Sequence, residues 1–281
     1  MTSEQSVREI LEWHVAAGVD ETIGDAPVDR FADPTPAPAL TPPPPTQSKA
    51  LAEAVARPPS PPPAPPPTAL PANGEESVRT AVELARAAST VDELRTALEG
   101  FDDCALKKTA TNLVFVDGAA DARLMFIGEG PGAEEDRQGL PFVGPSGRLL
   151  DKMMASIGID RTQALISNTV FWRPPGNRTP TPQETAVCLP FVERLVELVD
   201  PDILVTLGGP AAKAMLGETQ GVGRLRGRWF TYETARMSHP IDATAMFHPA
   251  YLLRSPAQKR QAWRDLIGIK KRLAGQSSTD G

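Results

Sequence analysis

The sequence predicts a three-layer α/β/α domain built on a central, mostly parallel sheet and preceded by a Pro-rich arm. Three observations carry this expectation. From residue 75 onward, short apolar runs alternate with amphipathic helical stretches, the pattern of parallel strands joined by crossover helices. The four most unusual loops read as standing just after strands, where open parallel sheets gather their functional groups. Before residue 75 the composition is different: residues 27–71 hold 17 of the 30 prolines, with runs at Pro42–Pro45 and Pro61–Pro63.

The elements follow in order. Residues 1–20 contain a short helical pattern, with Val7, Ile10, Leu11, His14 and Val15 near one face and Gly18 ending it. Residues 21–74 are expected to be a disordered Pro-rich linker, because a backbone poor in donors and biased to polyproline II builds no packed core. The folded domain is expected over residues 75–274, with a disordered tail at 275–281. It opens with helices near Glu76–Ala88 and Val91–Leu98. Strand Arg123–Ile127, helix Gly147–Ile157 and strand Leu165–Val170 come next. A helix from Pro182 to Val199 has Thr181 as N-cap and Glu184 closing a capping box. Strand Ile203–Leu207, helix Pro210–Leu216, an edge strand at Trp229–Tyr232, strand Ala243–Phe247 and a last helix Pro256–Leu273 complete the series.

Composition excludes several classes. With 281 residues and 41% hydrophobic content, one core of ordinary size is expected. Two cysteines rule out a disulfide scaffold and a four-cysteine metal or iron–sulfur site built from this chain alone. No run of about 18 apolar residues exists to span a membrane, and the N-terminus lacks a secretory pattern, so a cytoplasmic protein is expected. The net charge of −6 is unevenly divided: residues 1–71 carry 4 Lys and Arg against 9 Asp and Glu. Residues 251–272 carry seven basic residues against Asp265 alone, which suits phosphate contacts as well as it suits a solvated helix face.

Four motifs carry candidate chemistry. Gly128-Glu129-Gly130-Pro131-Gly132 follows the first core strand and exposes backbone to a ligand; it matches neither a dinucleotide fingerprint nor a P-loop. The acids that follow, Glu134, Glu135 and Asp136, argue against a phosphate there. Gly139–Gly147 places Phe142 between glycines, either as a core plug or as a stacking platform for a planar ligand. Asn168 closes a strand and offers one donor and one acceptor, and the loop after it carries Arg173, Asn177 and Arg178. Finally, Phe247-His248-Pro249-Ala250-Tyr251-Leu252-Leu253-Arg254 puts one histidine at a strand end, then an apolar pair beside a basic residue.

In family order, these stretches resemble family 4 of the uracil-DNA glycosylase superfamily, the bacterial and archaeal type that usually carries a [4Fe-4S] cluster. The resemblance covers roughly residues 96–273. It implies a glycosylase that extrudes uracil from DNA and hydrolyses its glycosidic bond, leaving an abasic site. Phe142 resembles the aromatic that stacks on the base, Asn168 the residue that reads its edge, and His248 the donor to O2. Glu129 and Asn177 resemble the pair that organises the catalytic loop and water. Gly130 falls in the uracil-binding loop, and Glu135 where the family blocks the thymine methyl. Leu252 or Leu253 would fill the gap left in the DNA stack. Arg254 would hold phosphate, with Arg173 and Arg178 as further DNA contacts. The extra basic segment of the relative that links covalently to DNA is missing from RPPGNRTP.

One departure stands out. The family's four cluster-cysteine positions correspond here to Phe101, Cys104, Trp172 and Cys188. Two thiolates cannot hold a [4Fe-4S] cluster in the ordinary way. The expectation is therefore no cofactor, with Phe101 and Trp172 filling the vacated volume and Cys104 close to Cys188 as reduced thiols. The expected partners are uracil-containing DNA and no membrane, with the N-terminal arm offering a site for a protein partner. A monomer associated with the nucleoid is expected. The alternatives are a non-catalytic DNA- or replication-partner-binding module on the same fold, and a glycosylase of broader base range.

Overall fold

The computed structural model describes residues 72–276. The expected N-terminal helix, nearly all of the linker and the end of the tail lie outside the described residues. Helix α1 (Ala72–Ala87) starts slightly earlier than its periodicity suggested and is followed by α2 (Val91–Gly100). Thr90 caps α2 by accepting the Glu93 N–H at 3.1 Å. Arg194 donates to the Ala88 carbonyl at 2.9 and 3.0 Å, placing a cation just past the C-terminal end of α1.

The sheet has six strands in the order β1-β3-β2-β4-β6-β5. Strands β2 (Leu124–Gly128), β3 (Ala164–Asn168), β4 (Ile203–Leu207) and β6 (Ile241–Met246) run parallel, with Gly128 beside Asn168 and Leu207 beside Met246. The expected edge strand is β5 (Trp229–Tyr232), antiparallel to β6. A second antiparallel edge, β1 (Asp117–Gly118), pairs with β3. Two residues show no alternation, so sequence periodicity had no means of finding it.

Alternation along β2 divides the core. Met125 and Ile127 pack with Leu94, Leu98, Phe171, Phe191 and Leu195 on one face. Leu124 and Phe126 pack with Leu150, Met154, Leu266 and Ile269 on the other. That makes the three layers expected from sequence. The second face is covered by α4 (Pro145–Ala155) and α9 (Lys259–Gln276); the first by α1, α2 and α5 (Pro182–Val199). The short helices α3 (Ala133–Gln138), α6 (Gly209–Leu216) and α7 (Val222–Leu225) lie in the connections between strands, and α8 (Pro249–Arg254) follows the last strand, β6.

The chain leaves β2 for β3 on one side, then crosses back over β2 to β4 on the other. That reversal opens a crevice at the carboxyl ends of the strands, the usual ligand position in an open α/β sheet. Three of the four motifs begin at those ends. The fourth departs from expectation: Gly139–Gly147 stands between α3 and α4 rather than after a strand, yet inside the same β2–β3 crossover.

The strand end that carries His248 is anchored from behind. Arg226 donates to both oxygens of buried Asp265 at 2.6 and 2.9 Å and to the Gln261 carbonyl at 2.7 Å, joining the end of α7 to α9. Its guanidinium also lies 5.5 Å from the Phe247 ring centre. Arg226→Met leaves Asp265 buried without its cation. It is expected to destabilise the fold by about 3–5 kcal/mol in a urea titration, and adding Asp265→Asn should recover part of the loss.

Candidate active site

Gly128, Asn168 and Phe142 meet at the crevice. Asn168 is buried, and its Oδ1 has no hydrogen-bond partner. An unpaired buried acceptor costs roughly 1–3 kcal/mol, so it marks a place where a ligand donor belongs. A Cβ on Gly128 would fall 2.5 Å from Asn168 Oδ1 and 2.6 Å from Phe142 Cζ. Glycine at the end of β2 is therefore what keeps the floor of the crevice open.

Phe142 has φ of 54°, a left-handed conformation that an aromatic residue adopts only under constraint. The constraint is visible on both sides. Gly147 packs so closely beneath that a Cβ there would sit 1.6 Å from the Phe142 carbonyl oxygen. The Glu135 carboxylate accepts the N–H of Val143 at 3.0 Å, of Gly144 at 2.8 Å and of Gly132 at 3.1 Å. One side chain thus ties the glycine-rich loop after β2 to the Phe142 loop. Phe142 is buried and also lines the crevice, its ring 5.6 Å from that of His248 and inclined at 30°. The two readings of this residue, plug and platform, turn out to be compatible.

The neighbouring acids play framing parts. Asp136 accepts the N–H groups of Thr111 and Asn112 at 2.8 and 3.1 Å. Glu134 pairs with Arg137 and Gln138 on the surface. Their placement is explained by these bonds rather than by discrimination against phosphate.

His248 caps α8. Its Nδ1 accepts the Ala250 N–H at 3.1 Å, so in the neutral ring the proton resides on Nε2, which is left as a donor. Burial pushes its pKa down to about 4, helped by Arg254 and opposed by Glu135. The ring is therefore neutral and a fixed donor at ordinary pH.

The cleft has a volume of about 460 Å³ and is lined by Glu129, Gly130, Gly132, Glu135, Phe142, Asn168, Asn177, Arg178, His248 and Arg254 among others. Glu129 is half-buried on its wall, its backbone carbonyl held by the Thr169 hydroxyl at 2.6 Å. Asn177, at φ 56°, accepts the Arg173 Nε–H at 2.7 Å. Arg178 forms a two-pronged bridge to Glu184 at 2.7 and 2.8 Å. Arg173 and Arg178 are thus already engaged in shaping the Pro174–Pro180 loop. Leu252 is buried in the core, whereas Leu253 is 43% exposed and Arg254 is exposed at the cleft mouth. Sequence reading missed Ser146 and Tyr251, which also line the cleft; Tyr251 packs its ring 5.0 Å from Phe247. Both lie inside the motifs singled out, so position within the motif was the available signal.

Phe101, Cys104, Trp172 and Cys188 are all buried in one apolar cluster. Cys104 and Cys188 are free thiols whose sulfurs share a hydrogen bond at 3.9 Å. The thiol beside it and burial push Cys188 well up. Phe101 packs against Phe191 at 5.2 Å between ring centres, and Trp172 against Phe171 at 6.3 Å. Two of the four positions hold rings with no ligating atom, so this set does not fit a four-thiolate cluster. Among the described residues, no group of three or more His, Cys, Asp or Glu is arranged to hold a metal ion.

Comparison with known proteins agrees with this geometry. The family model described as the uracil DNA glycosylase superfamily matches residues 115–267. A Type-4 uracil-DNA glycosylase of Thermotoga maritima is 40% identical over 153 residues, covering 54% of this chain and 77% of that protein. The Type-4 uracil-DNA glycosylase of Archaeoglobus fulgidus is 36% identical over 184 residues, 64% of this chain and 92% of its own length. That of Pyrobaculum aerophilum is 32% identical over 180 residues, 63% and 91% respectively.

The His248 environment gives a pH expectation. The folded pKa, about 4, lies below the ordinary 6.5, so the unfolded chain binds the extra proton first as pH falls. The stability contributed by this site is complete above about pH 6.5 and is lost as pH falls through about 4. In NMR, the His248 C2–H shift should stay flat from pH 8 to about 5 and move only as pH falls towards about 4.

Proposed function

The chain belongs to the uracil DNA glycosylase superfamily, and on that premise we propose how its own residues extrude uracil from DNA and hydrolyse the bond to deoxyribose. The orphaned Asn168 acceptor beside a neutral histidine donor is the observation that carries the reading of the site. Uracil offers an N3–H donor between two carbonyl acceptors. Asn168 Oδ1 accepts N3–H and its amide N–H meets O4, while Phe142 stacks on the ring. Glu135 beside Phe142 narrows the space next to C5, where thymine carries its methyl.

As the C1′–N1 bond lengthens, negative charge gathers on uracil O2 and positive charge on the sugar. The His248 Nε2–H donates to O2, and because the ring is neutral and held through Nδ1 by the Ala250 N–H it is already oriented before the charge develops. Water adds to the sugar cation at C1′, with Glu129 and Asn177 orienting it and Glu129 placed to receive its proton. Leaving the stack costs a few kcal/mol, which an inserted apolar side chain offsets. The exposure of Leu253 beside the buried Leu252 supports Leu253 as that wedge, with Arg254 on a flanking phosphate. Arg173 and Arg178 act through the loop they brace.

Loss of the family's cluster is part of this proposal; the packing of Phe101, Cys104, Trp172 and Cys188 into one apolar contact set supports it. No step above uses the cluster. Work on DNA supports the cytoplasmic placement expected from sequence, and no helix among the described residues is long and apolar enough to cross a membrane.

A labelled oligonucleotide with one uracil, treated with alkali after incubation, tests the reading. The parent protein should leave an alkali-labile site, and His248→Ala should lower the single-turnover rate about 10²–10³-fold. A parent that binds the oligonucleotide without cleaving it would instead favour the non-catalytic module. Elemental analysis of the purified protein should find no stoichiometric iron; iron at four atoms per chain would refute cluster loss.

A further inference from the structure

We propose that Arg161 is the positioning residue for the base-stacking platform. Its guanidinium fixes the backbone of Pro141 and Phe142 from beneath, and so sets the ring of Phe142 against the extruded base; this rests on the uracil reading above. Arg161 sits between α4 and β3 and is not part of the cleft lining. Its Nη1 donates to the Pro141 carbonyl at 3.1 Å, and its Nη2 to the Phe142 carbonyl. Asp117 on β1 accepts from Nη1, and Asp151 on α4 accepts from Nε at 2.8 Å, aiming the fork from two directions. The side chain is 24% exposed, so these bonds are partly shielded from water.

The loop is therefore gripped by opposite charges. Its carbonyls at 141 and 142 point to a cation, and its N–H groups at 143 and 144 point to the Glu135 carboxylate. Between the grips lies Phe142 in its left-handed conformation, which nothing local in the residue favours. A planar fork can serve two carbonyls and two carboxylates at once, whereas a lysine ammonium, with three donors on a flexible stem, cannot. A displacement near 1 Å in a positioning group can cost about 10²-fold in rate.

The test compares Arg161→Met and Arg161→Lys with Leu94→Ala, a cavity variant in the core face remote from the loop. Each is assayed well below its melting temperature, with folding checked by circular dichroism. Readouts are the single-turnover rate on uracil DNA, the inhibition constant of free uracil, and affinity for undamaged duplex. Arg161→Met should slow turnover and weaken free-uracil inhibition, each by about 10²-fold, with duplex affinity unchanged. Arg161→Lys should fall between, and it carries the test if Arg161→Met does not fold. Leu94→Ala should lower the melting temperature without moving the uracil constant. If the Arg161 variants behave like Leu94→Ala, or lose duplex affinity in step with turnover, the inference is wrong. A parent protein that releases no uracil sinks the functional reading and this inference with it; a working parent beside an unaltered Arg161 variant sinks the inference alone.

Discussion

The site depends on one buried carboxylate. Glu135 accepts three backbone N–H groups, from Gly132, Val143 and Gly144. Hydrogen bonds to a charged group are each worth about 1.5–3 kcal/mol net, enough to hold a carboxylate that is only 9% exposed. Two of those N–H groups belong to helix N-caps, Gly132 of α3 and Gly144 of α4, where backbone donors are otherwise unmet and the helix dipole favours negative charge. One side chain thereby caps two helices and joins two loops. The base cup is the space between those loops, so its width follows from this joint.

The cup is built to be incomplete without its ligand. Asn168 Oδ1 is buried and unpaired, and His248 is a partly buried ring that lines the same cleft. A site whose buried polar groups remain unpaired rejects ligands that cannot pair them, by more than an apolar pocket could. Neutrality of His248 belongs to the same design. An imidazolium would place a full charge in an environment that disfavours it, whereas a neutral donor held through Nδ1 is in place without proton uptake.

Much of this was legible in the sequence because the signals were local. The buried runs of β2, β3 and β4, the capping box at Thr181 and Glu184, and the glycine-rich loop each announce themselves within a few residues. The edge strand β1 was not legible, being too short to show a period. Nor was the place of Gly139–Gly147, because α3 is only six residues long and rich in acids. The partners of Glu135 lie up to nine positions away and those of Arg161 up to 44, so the frame of the cup appears only once the crossover is folded. That Leu252 is buried and Leu253 exposed was likewise not legible, since both sit in one turn of α8.

The aromatic replacement of the cluster positions bears on the same frame from the opposite face of the sheet. Trp172 immediately precedes Arg173, whose guanidinium orients Asn177. Cys188 lies one turn beyond Glu184, which holds Arg178 and caps α5. Trp172 packs edge-on against its neighbour Phe171 and Phe101 against Phe191 of α5, all within one buried apolar cluster that also holds Cys104 and Cys188. Close-packed aromatic rings tolerate little displacement, so they can fix a loop without a covalent tie. The loop's own bonds, Arg173 to Asn177 and Arg178 to Glu184, then fix its far end. The proposed water step needs Asn177 and Glu129 to face one another across the cleft that both of them line, and this bracing acts on the Asn177 side of it.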